Sequence, residues 1–450
     1  MTTPTGEPAG DLALRRVAVP ALDPESLFDV EVAHGRFRRI EPVAPRTAGE
    51  PAVELWPGYV EAHAHLALPA NFDDSLDDPR LIALQYLYHG VTHLADLFGF
   101  PLVQSRWDAG RAQSAFPYPE LVHCGYAATA VRDSSGRTGH GVEFPSPVFM
   151  LGTGEDLAAV LHANRERGGS FLKVMFTDGT EQPEMAVRFA RLAPEVLAHT
   201  ARVTREQGVP AVLDCNTREE VLAAYALGFR LFAHPVRDVE LSERDWHELA
   251  GARFVSTLGG LRPMVMDRAE FLREYGRPGF RETQDGANLD FVQAVEEPFG
   301  IRYGCQDTRT AALATMRANN LAALRRGQLL VGTDCGNTGA FHGYSLLGEL
   351  DLLAAAPETG GALREELRRA ATVENWRFFQ ELAGRPATGH PLTVGDPATF
   401  NLFSAPATAH APLSVLPDTT VVRGTTIDRP ALAREIRALR ASASNGKVVL

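Results

Sequence analysis

The chain has 450 residues, 45% of them hydrophobic, which is enough for one large α/β domain with a smaller one, or for two or three average domains. Its 44 basic and 56 acidic residues give a net charge of −12 without a long basic run. This balance argues against a surface for nucleic acid and against an anionic membrane as a partner.

The two ends of the chain have the pattern of short β-strands. Residues 11–56 contain apolar runs broken by Pro and Gly, which predict a small antiparallel sheet. Strand-like stretches return at 391–405 and 418–428, before a predicted helix at 429–442. We therefore predict a small β-sandwich domain built from residues 11–56 and 388–428, followed by a C-terminal helix and tail over 429–450.

Between these ends, apolar runs of five to eight residues alternate with stretches of helical periodicity. Parallel strands that are buried on both faces have this composition. Eight such strands with helices between them predict an α/β fold, a TIM-like (β/α)₈ barrel over 57–387. The runs are WPGYV, GVTHLADL, ELVHCG, SFLKVMF, VPAVLDC, FRLFAHP, ARFVSTL and QLLVGTD.

Two of the intervening helices are predicted at 185–208 and 217–228. The second opens on Thr217 with Glu220 three residues later, the spacing of a capping box. The connection over 259–327 is longer than one helix requires. We therefore expect its additional residues to lie at the mouth of the barrel.

The stretch PGYVEAHAHL places two histidines one residue apart where the first strand ends. Alternate side chains of a strand share a face, so His63 and His65 point the same way. In isolation such a pair is most simply explained by surface or packing histidines. The other strand ends decide the question, because in a parallel barrel they converge on one mouth.

Ionisable residues occur in or at the end of several of these strands. Each alone has a structural explanation, but together they predict a divalent metal site, with zinc, manganese or iron suited to imidazole and carboxylate ligands. A metal ion lowers the pKa of a bound water toward 7, and Asp334 is the best candidate for the proton shuttle. The candidate residues are His63, His65, Lys173, Asp214, His234 and Asp334.

Several motifs in order resemble the amidohydrolase superfamily, its imidazolonepropionase-like and prolidase-like members above all. PGYVEAHAHL resembles the PGxxDxHxHL opening, with Glu61 in place of the common Asp, and LLVGTDCG resembles the eighth-strand GTDxG. The stretches VEVAHGRFRRI, GVTHLADLFG, HGYSLLGELDLL and ATVENW resemble further segments, so that the resemblance covers residues 12–428.

The resemblance implies a metal-dependent hydrolase that cleaves an amide or other C–N bond of a small molecule or dipeptide-like substrate, by a metal-activated hydroxide. It implies that His63, His65 and Asp334 bind one ion, zinc by expectation, and that His234 binds a second. Lys173 in SFLKVMF matches the lysine that prolidase-like members carbamylate, since an ammonium cannot ligate a cation whereas a carbamate can.

The fifth strand departs from the family pattern. It reads AVLDCNTRE, with Asp214 and Asn216 where the family has histidines. Asp214 then either ligates a second ion or pairs with an unmodified Lys173 and leaves one ion. Because of this change, a divergent enzyme of this fold that catalyses decarboxylation, hydration or cyclisation is an alternative function. A metal-free binding protein is the least favoured alternative.

Loop residues give little information on the substrate. His140 and His342 lie on expected mouth loops and are candidates for orienting it, although exposed loop histidines are common. The segment 259–327 offers Arg262, Tyr275 and Arg281 without a spacing that selects a chemistry.

The four cysteines are widely spaced and form no CxxC, so neither a disulfide framework nor a zinc ribbon is predicted. Cys215 and Cys335 stand beside expected site residues, on the opposite strand face, and are predicted to pack. The N-terminus lacks a signal-peptide pattern and no long apolar stretch occurs. We expect a cytoplasmic enzyme with a small-molecule substrate, possible homo-oligomers, and neither nucleic acid nor membrane as a partner.

Overall fold

The chain has a mixed α/β fold with parallel sheets. The computed structural model describes residues 11–47, 53–68, 78–142, 148–181, 188–277, 279–284, 286–297, 301, 304–355, 361–404 and 412–443. No helix within these ranges has the length and apolar character needed to cross a bilayer.

Strands from the two chain ends form one seven-stranded sheet. Its order is β17-β16-β15-β4-β1-β2-β3, and only the β1–β4 pair among those described is parallel. The joining of both ends in one sheet agrees with the sequence pattern, whereas the domain limits stay a prediction. The strands are β1 Leu12–Val19, β2 Asp23–Ala33, β3 Arg36–Pro45, β4 Glu54–Pro57, β15 Phe400–Phe403, β16 Thr419–Val422 and β17 Thr425–Thr426.

The middle of the chain forms two parallel sheets, of order β5-β6-β7 and β14-β13-β12-β11-β10-β8-β9. Each of the eight predicted apolar runs contains or overlaps a strand, because these residues are buried on both faces. The strands are β5 Tyr59–Ala64, β6 Val91–Asp96, β7 Glu120–His123, β8 Ala127–Ala130, β9 Val148–Leu151, β10 Leu172–Met175, β11 Ala211–Asp214, β12 Leu231–Phe232, β13 Arg253–Val255 and β14 Leu329–Leu330.

Backbone hydrogen bonds connect the two parallel sheets at two places. One bond joins β7 to the segment before β10, and three others join β5 and the residue after it to the residues after β14. The bonds run from Ser170 N to His123 O (3.1 Å), Ala62 N to Val331 O (3.3 Å), Asp334 N to His63 O (2.9 Å) and His65 N to Cys335 O (2.8 Å). The first and last strands of the middle region are therefore neighbours, which brings their metal-ligand candidates together.

Helices connect the strands, and the two helices predicted from the sequence can be compared with them. Thr217 caps a helix with Glu220 in the predicted capping box. The helix predicted at 185–208 begins at Pro194 instead, because a proline inside a helix lacks the N–H donor and clashes with the preceding turn. Residues 185–187 of that prediction lie outside the described ranges.

Before the long connection, the helices are α1 Pro79–Tyr88, α2 Pro101–Gln113, α3 Gly154–Glu166, α4 Pro194–Glu206, α5 Arg218–Ala226 and α6 Glu243–Glu248. The helices after β14 are α12 Ser345–Ala354, α13 Gly361–Arg369, α14 Asn375–Leu382 and α15 Arg429–Ala443, the last at the position predicted for the terminal helix. A π-helical turn at Ala370–Glu374 separates α13 from α14.

The long connection 259–327 is helical in its described parts. Aromatic side chains pack its helices together, and Tyr275 Oη donates to Gly339 O at 2.5 Å, which attaches the connection to the loop after β14. The helices are α7 Arg262–Val265, α8 Arg268–Glu274, α9 Phe280–Thr283, α10 Gly286–Ala294 and α11 Gln306–Leu324.

Asn375, at the start of α14, joins the first and last strands of the middle region. Its Nδ2 donates to Val60 O and Val331 O, both at 2.6 Å, and its Oδ1 accepts from Val331 N at 2.9 Å. Because truncation leaves these buried groups unpaired, we expect Asn375→Ala to lower the free energy of unfolding by about 2–4 kcal/mol in urea titration.

Arg377→Ala is the matched control on the same helix. Arg377 pairs with Glu374 at 2.9 Å in a partly exposed position, so its loss is expected to cost at most about 0.5 kcal/mol. Equal effects of the two substitutions would show that Asn375 does not stabilise the junction.

Candidate metal centre

Three ligand atoms from the first and eighth strand ends converge in the interior. His63 Nε2 lies 3.1 Å from His65 Nε2, and Asp334 Oδ1 lies 3.2 Å and 2.8 Å from these two nitrogens. All three residues are buried. Two imidazole nitrogens and one carboxylate oxygen that face a common point are an appropriate donor set for zinc, so the residues fit the predicted ion.

The backbone holds these ligands in place. His63 Nδ1 lies 2.9 Å from Ala233 O, a contact that fixes the ring and leaves Nε2 toward Asp334. Asp334 adopts a left-handed backbone conformation with φ of 59°, which is rare for a residue with a side chain and typical of functional sites.

The pKa of Asp334 is below its ordinary value. Burial by itself raises the pKa of this carboxyl, but the charge of His63 and the hydrogen bond with His65 outweigh burial. The carboxylate is therefore ionised at neutral pH, as both a ligand and a proton acceptor require.

Glu61 holds the backbone of His63 and the loop that carries Asp334 together. Its fully buried carboxyl accepts from His63 N (3.0 Å), Thr333 N (2.9 Å) and Thr333 Oγ1 (2.8 Å), and burial raises the pKa of Glu61 to about 8. The side chain thus ties the loop after β14 to β5. Sequence reasoning noted Glu61 only as a departure from the family's Asp, whereas the structure shows it positioning the ligands.

Three further candidates form a second group next to the first. Lys173 Nζ lies 3.6 Å from Asp214 Oδ2, and His234 Nε2 lies 3.6 Å from Asp214 Oδ1. The rings of His63 and His234 have centroids 5.0 Å apart, so the groups adjoin. His234 Nδ1 contacts Thr257 Oγ1 at 2.9 Å, which directs Nε2 toward Asp214.

Asp214 is the centre of this second group. Burial raises the pKa of its carboxyl, yet the charges of Lys173 and His234 outweigh burial and hold the pKa well below its ordinary value. Lys173 Nζ and Asp214 Oδ1 are buried and have no hydrogen-bond partner among the described residues. Buried polar atoms left in this way are consistent with an additional ion at the second group.

A cavity of about 410 Å³ opens onto both groups. Residues of the connection 259–327 contribute to its wall, as the sequence predicted for the excess of that segment. The lining residues are His65, Leu68, Phe98, His140, Met175, Thr177, Gly179, Glu181, Phe189, Asp214, Asn216, His234, Arg237, Gly260, Leu261, Met264, Arg309, Asp334, Asn337 and Thr338.

The two substrate candidates have different positions. His140 lines the cavity, with its ring centroid 4.5 Å from that of Phe189. His342 is 2% exposed, does not line the cavity, and has Nδ1 3.3 Å from Tyr86 Oη. The candidate role of His342 in orienting a substrate stays a prediction, and the turn before α12 folds this side chain inward, against Tyr86.

The cysteines pack as predicted. Cys215 and Cys335 are fully buried, Cys335 Sγ lies 2.8 Å from Tyr86 Oη, and all four cysteines are free thiols.

Sequence reasoning missed two arginines that line the cavity, Arg237 and Arg309. Arg237 comes three residues after His234, so its place beside the sixth strand end was a usable signal. Arg309 lies in α11, within a segment whose path the sequence pattern does not define.

No family model matches the chain, and no curated protein matches it. Among solved structures, a putative prolidase from Bifidobacterium longum is similar over 96% of this chain and all of that chain, with TM-score 0.62 and 18% identity.

Two other solved structures are similar over nearly the whole chain. Bottromycin amidohydrolase matches 98% of this chain and 95% of its own, with TM-score 0.62 and 21% identity. A Xaa-Pro dipeptidase matches 93% of this chain and all of its own, with TM-score 0.64 and 10% identity. The chain therefore shares the fold of amidohydrolase and prolidase-like proteins, and the resemblance seen in the sequence is confirmed for the fold.

Proposed function

We propose that the protein is a metal-dependent hydrolase that cleaves an amide or other C–N bond of a small molecule or dipeptide-like substrate. The observation that carries the proposal is the convergence of His63 Nε2, His65 Nε2 and Asp334 Oδ1 at a cavity of about 410 Å³. Such a volume suits a small substrate. The prolidase, dipeptidase and amidohydrolase names of proteins with this fold support the same reaction class.

His63, His65 and Asp334 would hold a divalent ion, for which we propose zinc. When bound, such an ion lowers the pKa of water and polarises a carbonyl group. Asp334 lines the cavity and is ionised, so it can take a proton from the attacking nucleophile. It then returns that proton to the departing amine as the C–N bond breaks and the new C–O bond remains.

We further propose a second ion, held by His234, by Asp214 and by Lys173 as a carbamate. The support is the position of all three side chains beside the first group and the absence of a hydrogen-bond partner for Lys173 Nζ among the described residues. The opposing arrangement is an ammonium of Lys173 paired with Asp214 beside a single ion.

Our proposal extends to architecture and setting. We propose that the two parallel sheets, joined at two places by backbone hydrogen bonds, close as a (β/α)₈ barrel, and that the terminal strands curl into a small sandwich. We also propose that the enzyme is cytoplasmic and that neither nucleic acid nor a membrane is its partner. Assembly into homo-oligomers is compatible with this proposal.

The test is incubation of the zinc-loaded protein with a panel of N-acyl amino acids, dipeptides and cyclic amides. Hydrolysis predicts a product mass that has gained one water and a stoichiometric release of amine. Removal of metal by a chelator is expected to abolish this activity, and zinc to restore it, because the ligand set alone cannot activate the nucleophile.

The same measurement separates the runner-up function. Loss of carbon dioxide, an isomer of unchanged mass, or a gain of one water without release of amine would identify the non-hydrolytic enzyme that Asp214 and Asn216, at and after the end of β11, keep open. Activity that is unchanged by metal removal would contradict the metal-dependent proposal.

A further inference from the structure

Glu349 is a buried carboxyl that the proposed hydrolysis does not use. It lies in α12 with none of its surface exposed, and it accepts from Leu258 N at 2.9 Å and from Gly259 N at 2.6 Å. Burial raises the pKa of Glu349 to about 7, and hydrogen bonds with Ser256, Leu258 and Gly259 oppose this shift. A carboxyl is costly to bury, so packing alone does not account for an acidic side chain here.

The two N–H groups belong to residues 257–261, the loop after β13, which we call the β13 loop. The loop begins at Thr257, whose φ of 43° is in the left-handed region and strained for a β-branched residue. Leu258 N, which Glu349 binds, belongs to the peptide that follows Thr257, so this bond holds the strained turn. Thr257 Oγ1 lies 2.9 Å from His234 Nδ1. Glu349 therefore holds the residue that orients His234.

Further along, the β13 loop packs against Asp334. A Cβ atom placed on Gly260 would lie 3.1 Å from Asp334 Oδ2 and 3.3 Å from Asp334 Cβ, so a side chain at this position would crowd the carboxylate. Gly260 and Leu261 also line the cavity, as Asp334 does. The loop therefore restricts the space in which the Asp334 carboxylate can turn.

We infer that Glu349 is a positioning residue of the proposed metal centre, which holds the β13 loop so that His234 and Asp334 keep their orientation. The inference rests on the proposed metal-dependent function and adds a residue to it. Glu349 lies outside the cavity lining and acts through the loop. Ligands that their neighbours hold in place need not reorganise when an ion binds or a proton moves.

The experiment compares Glu349→Met with Gln328→Met on the zinc-loaded protein. Gln328 is the matched control, because it is also buried and its Nε2 also makes two hydrogen bonds to the backbone, to Leu249 O at 2.7 Å and Ala252 O at 2.9 Å. It precedes β14, whereas Asp334 follows that strand, so it lies at the opposite end. Methionine keeps most of the side-chain volume and removes the hydrogen bonds. We expect urea titration to show a similar loss of stability in both variants.

The metal centre is expected to distinguish the two variants. In competition with a chelator, Glu349→Met is expected to bind zinc about 10- to 100-fold more weakly than the wild type, and Gln328→Met within about threefold of it. At saturating zinc, and at a temperature where both variants are folded, kcat for an amide that the wild type hydrolyses is expected to fall about 10- to 100-fold in Glu349→Met alone. Zinc affinity is measured without turnover, so it does not depend on the choice of substrate.

Gly260→Ala tests the contact between the β13 loop and Asp334. The added methyl group would crowd the Asp334 carboxylate, so zinc is expected to bind about 10-fold more weakly, although the hydrogen bonds of Glu349 remain. Gly286→Ala is the control, because a Cβ atom added there would have no described atom within 4 Å. It is expected to bind zinc as the wild type does.

The outcomes are distinct. Weaker zinc binding in Glu349→Met and Gly260→Ala, with no amide hydrolysed by the wild type, would support the positioning role and overturn the hydrolase proposal. Wild-type zinc affinity and kcat in Glu349→Met, with stability lowered as in Gln328→Met, would overturn the inference alone. A wild type that binds no zinc would overturn both. If Glu349→Met fails to fold, Glu349→Gln replaces it, since glutamine keeps one acceptor oxygen for the two N–H groups. An intermediate zinc affinity is then expected, and wild-type affinity would overturn the inference.

Discussion

Replacement of Asp334 by asparagine is expected to lower kcat by about 10²- to 10⁴-fold, the usual contribution of a general acid–base group. The amide has nearly the shape of the carboxylate but cannot accept the nucleophile's proton. The fold is expected to persist, because the backbone N–H of Asp334 still donates to His63 O. Turnover is measured together with metal content, since loss of the ion would imitate loss of the proton acceptor.

Asp351→Asn is the control for this substitution. Asp351 is a half-buried acid that accepts from Leu413 N and pairs with Arg277, outside the cavity lining. We expect its turnover to stay near that of the wild type. An Asp334→Asn protein that keeps its metal and turns over at the wild-type rate would remove Asp334 from the proton-transfer role.

The strands and the convergence of His63, His65 and Asp334 were predictable from sequence because their signals are local. A buried parallel strand needs a short continuous apolar run, and the ligand lies where that run ends. His63, His65 and Asp334 follow this rule, and the structure brings their ligand atoms together. Thr217 and Glu220 are equally local, since a capping box needs only four consecutive residues.

What depends on the path of long loops was not predictable. His342 has the sequence context of a mouth loop, but the turn before α12 places it against Tyr86. Arg309 lines the cavity from α11, the last helix of the long connection, whose earlier helices pack on one another through aromatic side chains. No periodicity in the sequence encodes that packing, whose contacts are distant along the chain.

The second metal group lies between these cases. Lys173 lies within β10, Asp214 ends β11 and His234 follows β12, and Lys173 is paired with Val212 across β10 and β11. The position of Lys173 in the sequence does not reveal whether its side chain is an ammonium or a carbamate, because both forms occupy the same position. Lys173 Nζ lies 3.6 Å from Asp214 Oδ2, so the two alternatives are an ion pair between these side chains and a carbamate that shares an ion with Asp214.

Protein prepared with bicarbonate and excess zinc is expected to bind two ions, and Lys173→Met one. Two carboxylates and a carbamate close together accumulate negative charge that a second dication neutralises. Lys173 is fully buried, so methionine is chosen to keep most of the side-chain volume while removing the nitrogen that carries the carbamate. Elemental analysis counts the ions, and circular dichroism checks that the variant is folded.

Asp214→His is the matched variant, because it removes the partner of an unmodified lysine and supplies the imidazole that the family pattern has at this position. We expect it to retain two ions and to require less bicarbonate for full loading, since no ion pair with Lys173 then competes with carbamate formation. One ion in both the wild type and Lys173→Met, with wild-type activity indifferent to bicarbonate, would contradict the bridged pair. Lys173 would then be an ammonium that neutralises Asp214 beside a single catalytic ion.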